Sequence, residues 1–500
     1  MPGNKCGKGF LKDDIGKEFV DTMGYLDITE VEPLDNLHAP EGIILEAQKL
    51  LAKTYGVKKA YFMVNGSTGG NLCSIFAAFN EGDEVLVERN CHKSIYNGLI
   101  LRKLKVKYIE PLIDEKLGIF LPPDKKNIYD AIEQCENLKG IILTYPSYFG
   151  ITYDIEEVLR DLKIRGLKIV VDSAHGAHFI ANDNLPKAIY SIPDYVVLSA
   201  HKTLPALTQG SYLLSNRDDN DIEFYLNTFM TTSPSYLIMS SLDYARYYLD
   251  EYGYDEYERL INKAEKYRSI INSLNKVHII SKEDLAEDYD IDKSRYIVTV
   301  SKEYSGHKLL EYLREQRIQC EMSFASGVVL LLSPINDDDD FKKLLKSFEN
   351  LQLKDIRQDN YSKYYSFIPE KVLEPYEVFK KEYKYVKINE ADKSKKEMID
   401  GFLNMFGIDQ GGSPWITKQS IYNQFYSDLV TKVQHGIDVP GTTIHVFYAT
   451  KMGKKYEKRY CTYFKNPDIQ RHNMQHEELF CCHSAEWVEE VKKAVEGDRQ

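Results

Sequence analysis

The chain of 500 residues contains no long apolar run, and this absence limits where it can work. No stretch approaches the roughly 20 apolar residues that a membrane-spanning helix needs. The first residues, Met1 to Lys5, lack the apolar core of a signal peptide. We therefore expect a protein that makes no membrane contact and is located in the cytoplasm.

A surplus of positive charge is also missing, because the formal net charge is -12 at pH 7. The phosphates of nucleic acids attract basic surfaces, so we expect no nucleic-acid partner and consider small molecules or proteins instead. The eight cysteines form no C-x-x-C pair. This pattern favours free thiols in a reducing compartment.

What the chain does contain is an alternation of short apolar runs with helical patterns. The alternation predicts an α/β fold with a mostly parallel sheet, helices on both faces, and ligands at the carboxyl ends of the strands. The predicted strands are Ala60–Val64, Glu84–Glu88, Lys107–Ile109, Gly140–Thr144, Ile169–Val171, Tyr195–Ser199 and Tyr212–Leu214. The predicted helices between them are Ile43–Tyr55, Thr68–Phe79, Lys93–Arg102, Ile128–Glu136 and Ile155–Lys163.

The length exceeds what one hydrophobic core usually serves, so several domains are expected. A long amphipathic stretch, Ser235–Leu274, precedes a smaller α/β region with strands at Arg295–Val300 and Val328–Leu332. Asp337–Asp340 precedes a helical pattern, so we interpret these acids as a helix cap and not as a metal site. The predicted organisation is an N-terminal segment (1–40), a large domain (41–260), a small domain (261–360), a linker (361–410) and a C-terminal part (411–500).

Two segments carry the strongest chemical signal. Asp172 follows the apolar run Ile169–Val171, and Lys202 comes just after Tyr195–Ser199, so both are expected at one edge of the sheet. Pyridoxal 5'-phosphate needs such a pair, because a lysine holds its aldehyde as a Schiff base and an acid keeps its ring nitrogen protonated. A lysine just past an apolar strand is unusual unless its amine is used. The aspartate alone would favour a helix cap or a turn.

A glycine-rich turn, Gly66-Ser67-Thr68-Gly69-Gly70-Asn71, lies between a predicted strand and a helix. Backbone amides at a helix start, together with the hydroxyls of Ser67 and Thr68, predict an anion site for a phosphate group. Taken alone, this turn is more often a helix cap. The chain lacks the G-x-x-x-x-G-K-[ST] and G-x-G-x-x-G motifs, which favours a phosphate without a nucleotide.

Three further positions have a chemical and a structural interpretation. His92 follows a predicted strand and could stack on a cofactor ring, although a lone histidine is more often structural. Ser147 lies in Tyr145–Gly150, where a proline-containing turn and a hydroxyl donor to the cofactor carry similar weight. His175 and His178 are spaced i, i+3 but have no third ligand nearby, so we expect no metal.

The residues together are recognisable as a family pattern. Asp172-Ser173-Ala174-His175-Gly176-Ala177-His178 and Ser199-Ala200-His201-Lys202-Thr203 closely resemble the fold type I ornithine/lysine/arginine decarboxylases, which depend on pyridoxal phosphate. Supporting matches run through Asn4–Gly9, Leu37–Ile43, Val64–Thr68 and Glu321-Met322. The likeness covers about residues 1–395.

The resemblance implies a role for each site residue. Lys202 binds the cofactor aldehyde, Asp172 pairs with the pyridine nitrogen, and His92 stacks on the ring. Ser67, Thr68, Ser199 and His201 serve the phosphate. The implied catalytic set is Lys202, Asp172, His92 and His175, and the implied cofactor contacts also include Ser147 and Ala174.

The resemblance also implies a reaction. Arginine, or else lysine or ornithine, would lose carbon dioxide and leave the corresponding amine, as in polyamine biosynthesis. Family members form dimers, and Thr231–Ser235 is similar to a segment that reaches the partner's phosphate. Two alternatives stay open: another reaction of the same cofactor, such as transamination or aldol cleavage, and a catalytically impaired member that acts as a binding protein.

The chain departs from the family pattern at both ends. Asn4 and Cys6 stand where the family usually has histidine and glutamine. The family's C-terminal domain, with its Pro-Pro-Gly-Ile-Pro segment, has no counterpart in the sequence. Residues 411–500 instead resemble the end of an α/β-hydrolase, with His476 in the position of its base. The chain has no G-x-S-x-G motif, so we expect a fragment of that fold without hydrolase activity.

Overall fold

The described part of the chain alternates strands with helices, as its sequence predicts. The structure, a computed structural model, describes residues 3–28, 30–358, 371 and 373–378. Its strands are β1 (Lys59–Met63), β2 (Glu84–Glu88), β3 (Lys105–Ile109), β4 (Leu112–Asp114), β5 (Ile119–Leu121), β6 (Leu138–Thr144), β7 (Ile151–Tyr153), β8 (Lys168–Asp172), β9 (Tyr195–Leu198), β10 (Ser211–Ser215), β11 (His278–Ile279), β12 (Tyr289–Ile291), β13 (Arg295–Thr299), β14 (Met322–Phe324) and β15 (Gly327–Leu331). Its α-helices are α1 (Asp14–Leu26), α2 (Ile43–Tyr55), α3 (Gly66–Ala78), α4 (Lys93–Arg102), α5 (Lys125–Glu133), α6 (Glu156–Ile164), α7 (Ala200–Thr203), α8 (Asp221–Phe229), α9 (Tyr236–Ser273), α10 (Gly306–Glu315), α11 (Asp338–Asn350) and α12 (Pro375–Val378).

Seven strands form the central sheet in the order β1-β10-β9-β8-β6-β2-β3. Strands β9, β8, β6, β2 and β3 pair in parallel, whereas β10 runs antiparallel to both of its neighbours. These seven are the predicted strands, with bounds shifted by at most two residues. The predicted mostly parallel sheet is therefore confirmed.

The central strands are buried along almost their whole length. All residues of β9 and β10 are buried, and so are the last four of β8. Parallel strands covered by helices on both faces have no solvent-facing side, so they are continuously apolar and do not alternate. This burial explains why these strands are visible in the sequence as continuous apolar runs.

A second sheet has four antiparallel strands in the order β11-β13-β15-β14. Two two-stranded pairs, β4 with β5 and β7 with β12, were not predicted. Each of these strands has only three residues, too few to establish a periodic pattern.

The predicted division into domains at 41–260 and 261–360 stays a prediction. The predicted linker lies almost wholly outside the described residues, and the predicted hydrolase-like segment, 411–500, lies entirely outside them. Within the described residues, we find no helix long and apolar enough to cross a bilayer.

The aspartate run begins helix α11, as predicted. Asp337 precedes the helix, and its Oδ1 accepts hydrogen bonds from the backbone amides of Asp339 (3.0 Å) and Asp340 (2.9 Å). Oδ2 of Asp340 in turn accepts a hydrogen bond from the Asp337 amide, which completes a capping box. No group of three metal-ligating side chains occurs in the part of the chain that the structure describes. The hydrogen bonds of Asp337 confirm the interpretation as a helix cap.

Helix α3 packs against the centre of the sheet through a glycine. A Cβ atom at Gly70 would lie 2.8 Å from Cγ1 of Val197 in β9, whereas one at Gly69 would lie no closer than 3.5 Å to its neighbours. Because Val197 is fully buried and its side chain is stiff, it has little room to move. We infer that Gly70 sets the distance between α3 and the sheet.

We predict that Gly70→Ala lowers the free energy of unfolding by about 1–3 kcal/mol, the usual cost of overpacking a core. Gly69→Ala is the matched control in the same helix, and we expect it to be neutral or to stabilise by up to about 1 kcal/mol. Urea unfolding of both cofactor-free variants measures the difference. Equal stability of the two variants would contradict the packing argument.

Candidate active site

The carboxyl edge of the central sheet brings the predicted residues together. Asp172 is the last residue of β8, and Ser199 follows directly after β9, its parallel neighbour. Lys202 lies in the one-turn helix α7 that begins after Ser199. The prediction that the acid and the lysine reach one edge of the sheet is confirmed.

The Asp172 carboxylate is buried and held from two sides. Its side chain is 2% exposed, Oδ2 accepts a hydrogen bond from Asn71 Nδ2 (2.9 Å), and Oδ1 accepts one from the Ala174 amide (3.1 Å). Among the described residues, no cationic side chain forms an ion pair with it. A buried carboxylate is costly without a positive partner, so this site favours a ligand that brings one.

A chain of hydrogen bonds connects this carboxylate to His92. Asn71 Nδ2 also donates to Ser94 Oγ (2.8 Å), and Ser94 Oγ lies 2.8 Å from Nδ1 of His92. Because Nδ1 already accepts from the Ser94 amide, it is unprotonated, and the serine hydroxyl donates to it. His92 therefore caps α4, as its structural interpretation expected, and also lies at the site edge. Burial lowers its pKa, the charge of Asp172 acts in the opposite direction, and the charge of Lys202 adds to the lowering.

Helix α3 serves both ends of the candidate site. Ser67 lies in its first turn and Asn71 one turn later, on the same face. Ser199 Oγ donates to Ser67 Oγ over 2.7 Å, which pairs two hydroxyls at the start of the helix. Thr68 lies exposed beside them. His201 lies on α7 nearby, and its Nδ1 is 2.9 Å from the carbonyl of Gly210.

The reactive amine lies against a histidine. Lys202 Nζ is 3.1 Å from His175 Nε2. Burial lowers the pKa of Lys202, although the nearby charges of Asp172 and Glu321 act in the opposite direction. Burial and the charge of Lys202 also hold the pKa of His175 well below its usual value. Both groups are therefore biased towards their neutral forms.

Arg295, which the sequence analysis missed, contacts the far side of His175. Its Nη2 lies 3.3 Å from His175 Nδ1, and its Nη1 donates to the carbonyl of Tyr148. The ring of Tyr148 packs edge-on against His175, and its hydroxyl donates to Glu321 Oε1 (2.9 Å). The sequence signal that could have identified it is an arginine at the first position of the predicted strand that became β13.

Ser147 contributes to the turn that its alternative interpretation expected. Its Oγ accepts from the Ile151 amide (3.2 Å), and its carbonyl accepts from the Gly150 amide (2.8 Å). These bonds close the loop between β6 and β7. The predicted contact of Ser147 with the cofactor stays a prediction.

His178 contacts a different set of residues from His175. Its Nε2 lies 3.1 Å from Ser294 Oγ and 3.2 Å from Asp292 Oδ2, and its ring stacks on Tyr257. Burial raises the pKa of Asp292, but His178, Arg295 and Ser294 outweigh it and bring the pKa to about 2. His178 therefore belongs to a buried polar cluster beneath the site.

The residues at this edge fit pyridoxal 5'-phosphate. Asp172 is a buried carboxylate without a cationic partner, which suits a protonated pyridine nitrogen. Lys202 offers a desolvated amine for an aldehyde. The hydroxyls of Ser67 and Ser199 at the start of α3 suit a phosphate.

Comparisons with known proteins agree with this chemistry. The family model "Orn/Lys/Arg decarboxylase, major domain" matches residues 1–303. The uncharacterized protein YaaO of Bacillus subtilis is 35% identical over 339 residues, which are 66% of this chain and 70% of that protein. The arginine decarboxylase of Bacillus cereus is 32% identical over 360 residues, which are 70% of this chain and 78% of that protein.

Among solved structures, the constitutive lysine decarboxylase of Escherichia coli superimposes with a TM-score of 0.68 at 18% identity. The match covers 82% of this chain and 76% of that one. A likeness at this identity speaks for the fold alone, and it confirms the predicted fold type I architecture.

We predict that Asp292→Asn lowers the free energy of unfolding at pH 7 by roughly 2 kcal/mol, the value of a carboxylate whose pKa falls by nearly two units on folding. Since the folded pKa is the lower one, this stability is present above the unfolded pKa of about 4 and is lost as the pH falls to about 2. Urea unfolding at a series of pH values measures it.

Asp218→Asn is the control, because Asp218 is an exposed partner of Lys58. We expect it to change stability by well under 1 kcal/mol. An Asp292→Asn variant whose deficit stays constant from pH 7 to pH 2 would contradict the assigned ionisation.

Proposed function

Because the chain belongs to the Orn/Lys/Arg decarboxylase family, we propose that it decarboxylates arginine to agmatine and carbon dioxide. Family membership makes it a decarboxylase of a basic amino acid with pyridoxal 5'-phosphate as cofactor. Arginine is the finer choice, supported by the named activity of the Bacillus cereus relative. The single observation that carries the proposal is the buried Asp172 at the same sheet edge as Lys202, in a chain of this family.

When bound, pyridoxal 5'-phosphate supplies a conjugated ring that accepts the electron pair left by the departing carboxylate. Asp172 holds a proton at the pyridine nitrogen, and Asn71 fixes the orientation of its carboxylate. His92 would lie against the ring and restrict the access of water to it. Ser67, Thr68, Ser199 and His201 bind the phosphate and determine where the ring lies.

Lys202 provides the amine that anchors the cofactor through its aldehyde carbon. Its lowered pKa favours the neutral amine, which is the nucleophilic form. His175 lies within hydrogen-bonding distance of Nζ and orients it. The same amine would be placed to hold or move a proton at the reacting carbon of a bound substrate.

The basic side chain of the substrate requires a carboxylate, and we assign this role to Glu321. The residue is half-buried and directly precedes β14. It accepts a hydrogen bond from the hydroxyl of Tyr148. Its charge acts on Lys202 and Arg295, which places it within electrostatic range of the reactive amine. A guanidinium can form two parallel hydrogen bonds to such a carboxylate.

Transamination, aldol chemistry and a purely binding role are not favoured, because the family model and the named relatives are decarboxylases. We further propose a cytoplasmic homodimer in polyamine biosynthesis, in which Thr231–Ser235 reaches the phosphate of the partner's cofactor. Thr231 and Ser233 are exposed, as such a contact requires.

We predict that the purified protein releases carbon dioxide and amine faster from arginine than from lysine or ornithine. Lys202→Ala should lower the turnover by about 10³-fold or more, because it removes the anchoring and proton-transferring amine. The control Lys103→Ala removes an exposed lysine paired with Glu81 and should be fully active. Product analysis by mass spectrometry measures the outcome, and a keto acid in place of the amine would contradict the proposal.

We predict that Glu321→Gln lowers kcat/KM for arginine about tenfold through a higher KM, because a charge-assisted hydrogen bond to the substrate is weakened. Glu315→Gln, on the exposed surface of α10, is the control. Steady-state assays with arginine measure both. An unchanged KM in Glu321→Gln would contradict the proposed contact between Glu321 and the substrate.

A further inference from the structure

Arg295 is a buried cation that comes from outside the central sheet. It begins β13 of the second sheet and is 2% exposed. One end of its guanidinium donates to the Tyr148 carbonyl, and the other lies 3.3 Å from His175 Nδ1 and 3.9 Å from Asp292. A buried arginine is costly, so this placement calls for an explanation.

The hydrogen-bonding chemistry of arginine determines the tautomer of its partner. A guanidinium carries only donors and no lone pair that could accept a hydrogen bond. Nδ1 of His175 must therefore accept from Arg295, and the proton of the neutral ring must lie on Nε2. The protonated imidazole is disfavoured, because it would point a second donor at Arg295. Burial and the neighbouring cations also keep the pKa of His175 low.

The same reasoning extends from His175 to the reactive amine. Nε2 lies 3.1 Å from Lys202 Nζ. An ammonium has no lone pair, so a hydrogen bond from Nε2–H requires the neutral amine. Burial lowers the pKa of Lys202 and acts in the same direction.

We propose that Arg295 is a positioning residue that fixes His175 in its Nε2–H tautomer and thereby keeps Lys202 as an oriented, hydrogen-bond-accepting amine. The proposal rests on the proposed role of Lys202 as the cofactor anchor. Arg295 acts through His175.

The surrounding chain is built to hold Arg295 in this position. A Cβ atom at Gly150 would lie 2.8 Å from Arg295 Cδ, so a glycine is required there, and its φ of +79° favours one as well. The Gly150 carbonyl accepts from the Asp292 amide (2.9 Å), and β7 pairs with β12 directly beyond. The loop after β6 is thus joined to the segment that leads into β13, the strand that carries the arginine.

The tautomer is tested directly by nitrogen NMR of the full-length, cofactor-free protein labelled with ¹⁵N-histidine. His175→Asn identifies the signals of His175 by their loss. We expect a pyridine-type Nδ1 and a pyrrole-type Nε2 in the wild-type protein near neutral pH. A pyrrole-type Nδ1, or a doubly protonated ring, would overturn the proposal.

Two substitutions separate charge from hydrogen-bond geometry. Arg295→Lys keeps a cationic donor and should retain the Nε2–H tautomer. Arg295→Gln presents an amide that can donate or accept, so both tautomers should appear and Lys202 should capture added pyridoxal 5'-phosphate about tenfold more slowly. Loss of the positive charge should also move the pH midpoint of capture upward.

Arg246→Gln is the matched control, because Arg246 is also buried but pairs with Asp243 and Asp250 on α9. We expect its His175 signals and cofactor capture to match the wild type. An unchanged His175 spectrum in a folded Arg295→Gln variant would refute the proposal. Should that variant not fold, the wild-type and Arg295→Lys spectra decide the question. Failure of the proposed function is detected separately, as absent amine release by the wild-type holoenzyme.

Discussion

A buried negative charge without a cationic partner is the constraint on which the rest of the site depends. Asp172 ends β8 beneath the sheet edge, where its two oxygens are satisfied by Asn71 and the Ala174 amide. These neutral donors orient the carboxylate but do not neutralise it. A positively charged group of a ligand placed against the acid would offset the cost of burying this carboxylate. The parallel sheet makes this possible, since it delivers Lys202 to the same edge.

A comparison with Glu88 shows that the hydrogen bonding of Asp172 differs from that of another buried acid at the sheet. Glu88 ends β2 and is also buried, and it accepts a hydrogen bond from the Thr144 amide. Burial raises its pKa to about 7, and the charge of Asp172 contributes to the shift. The fold therefore contains two buried acids close enough to interact. Of these two acids, only Asp172 accepts hydrogen bonds from both a side-chain amide and a backbone amide in the described structure.

On the other side of the site, His175 lies between two basic side chains. Lys202 and Arg295 contact opposite nitrogens of His175, so the ring lies between the amine and the guanidinium. Asp292 compensates Arg295 from below and pairs with His178. The second sheet thus contributes Arg295 to the surroundings of Lys202, although the predicted cofactor residues belong to segments at the edge of the first sheet.

The sequence by itself determined the central sheet, the placement of Asp172 and Lys202 at one edge, and the family. These features depend on local patterns, because a buried strand followed by a polar residue is visible within ten residues. The contacts of Arg295 with His175 and of Asn71 with Asp172 were decided only by the tertiary structure. They join residues 120 and 101 positions apart, and no periodicity extends over such distances. Local sequence specifies where a strand ends, but only packing decides which distant side chain meets it there.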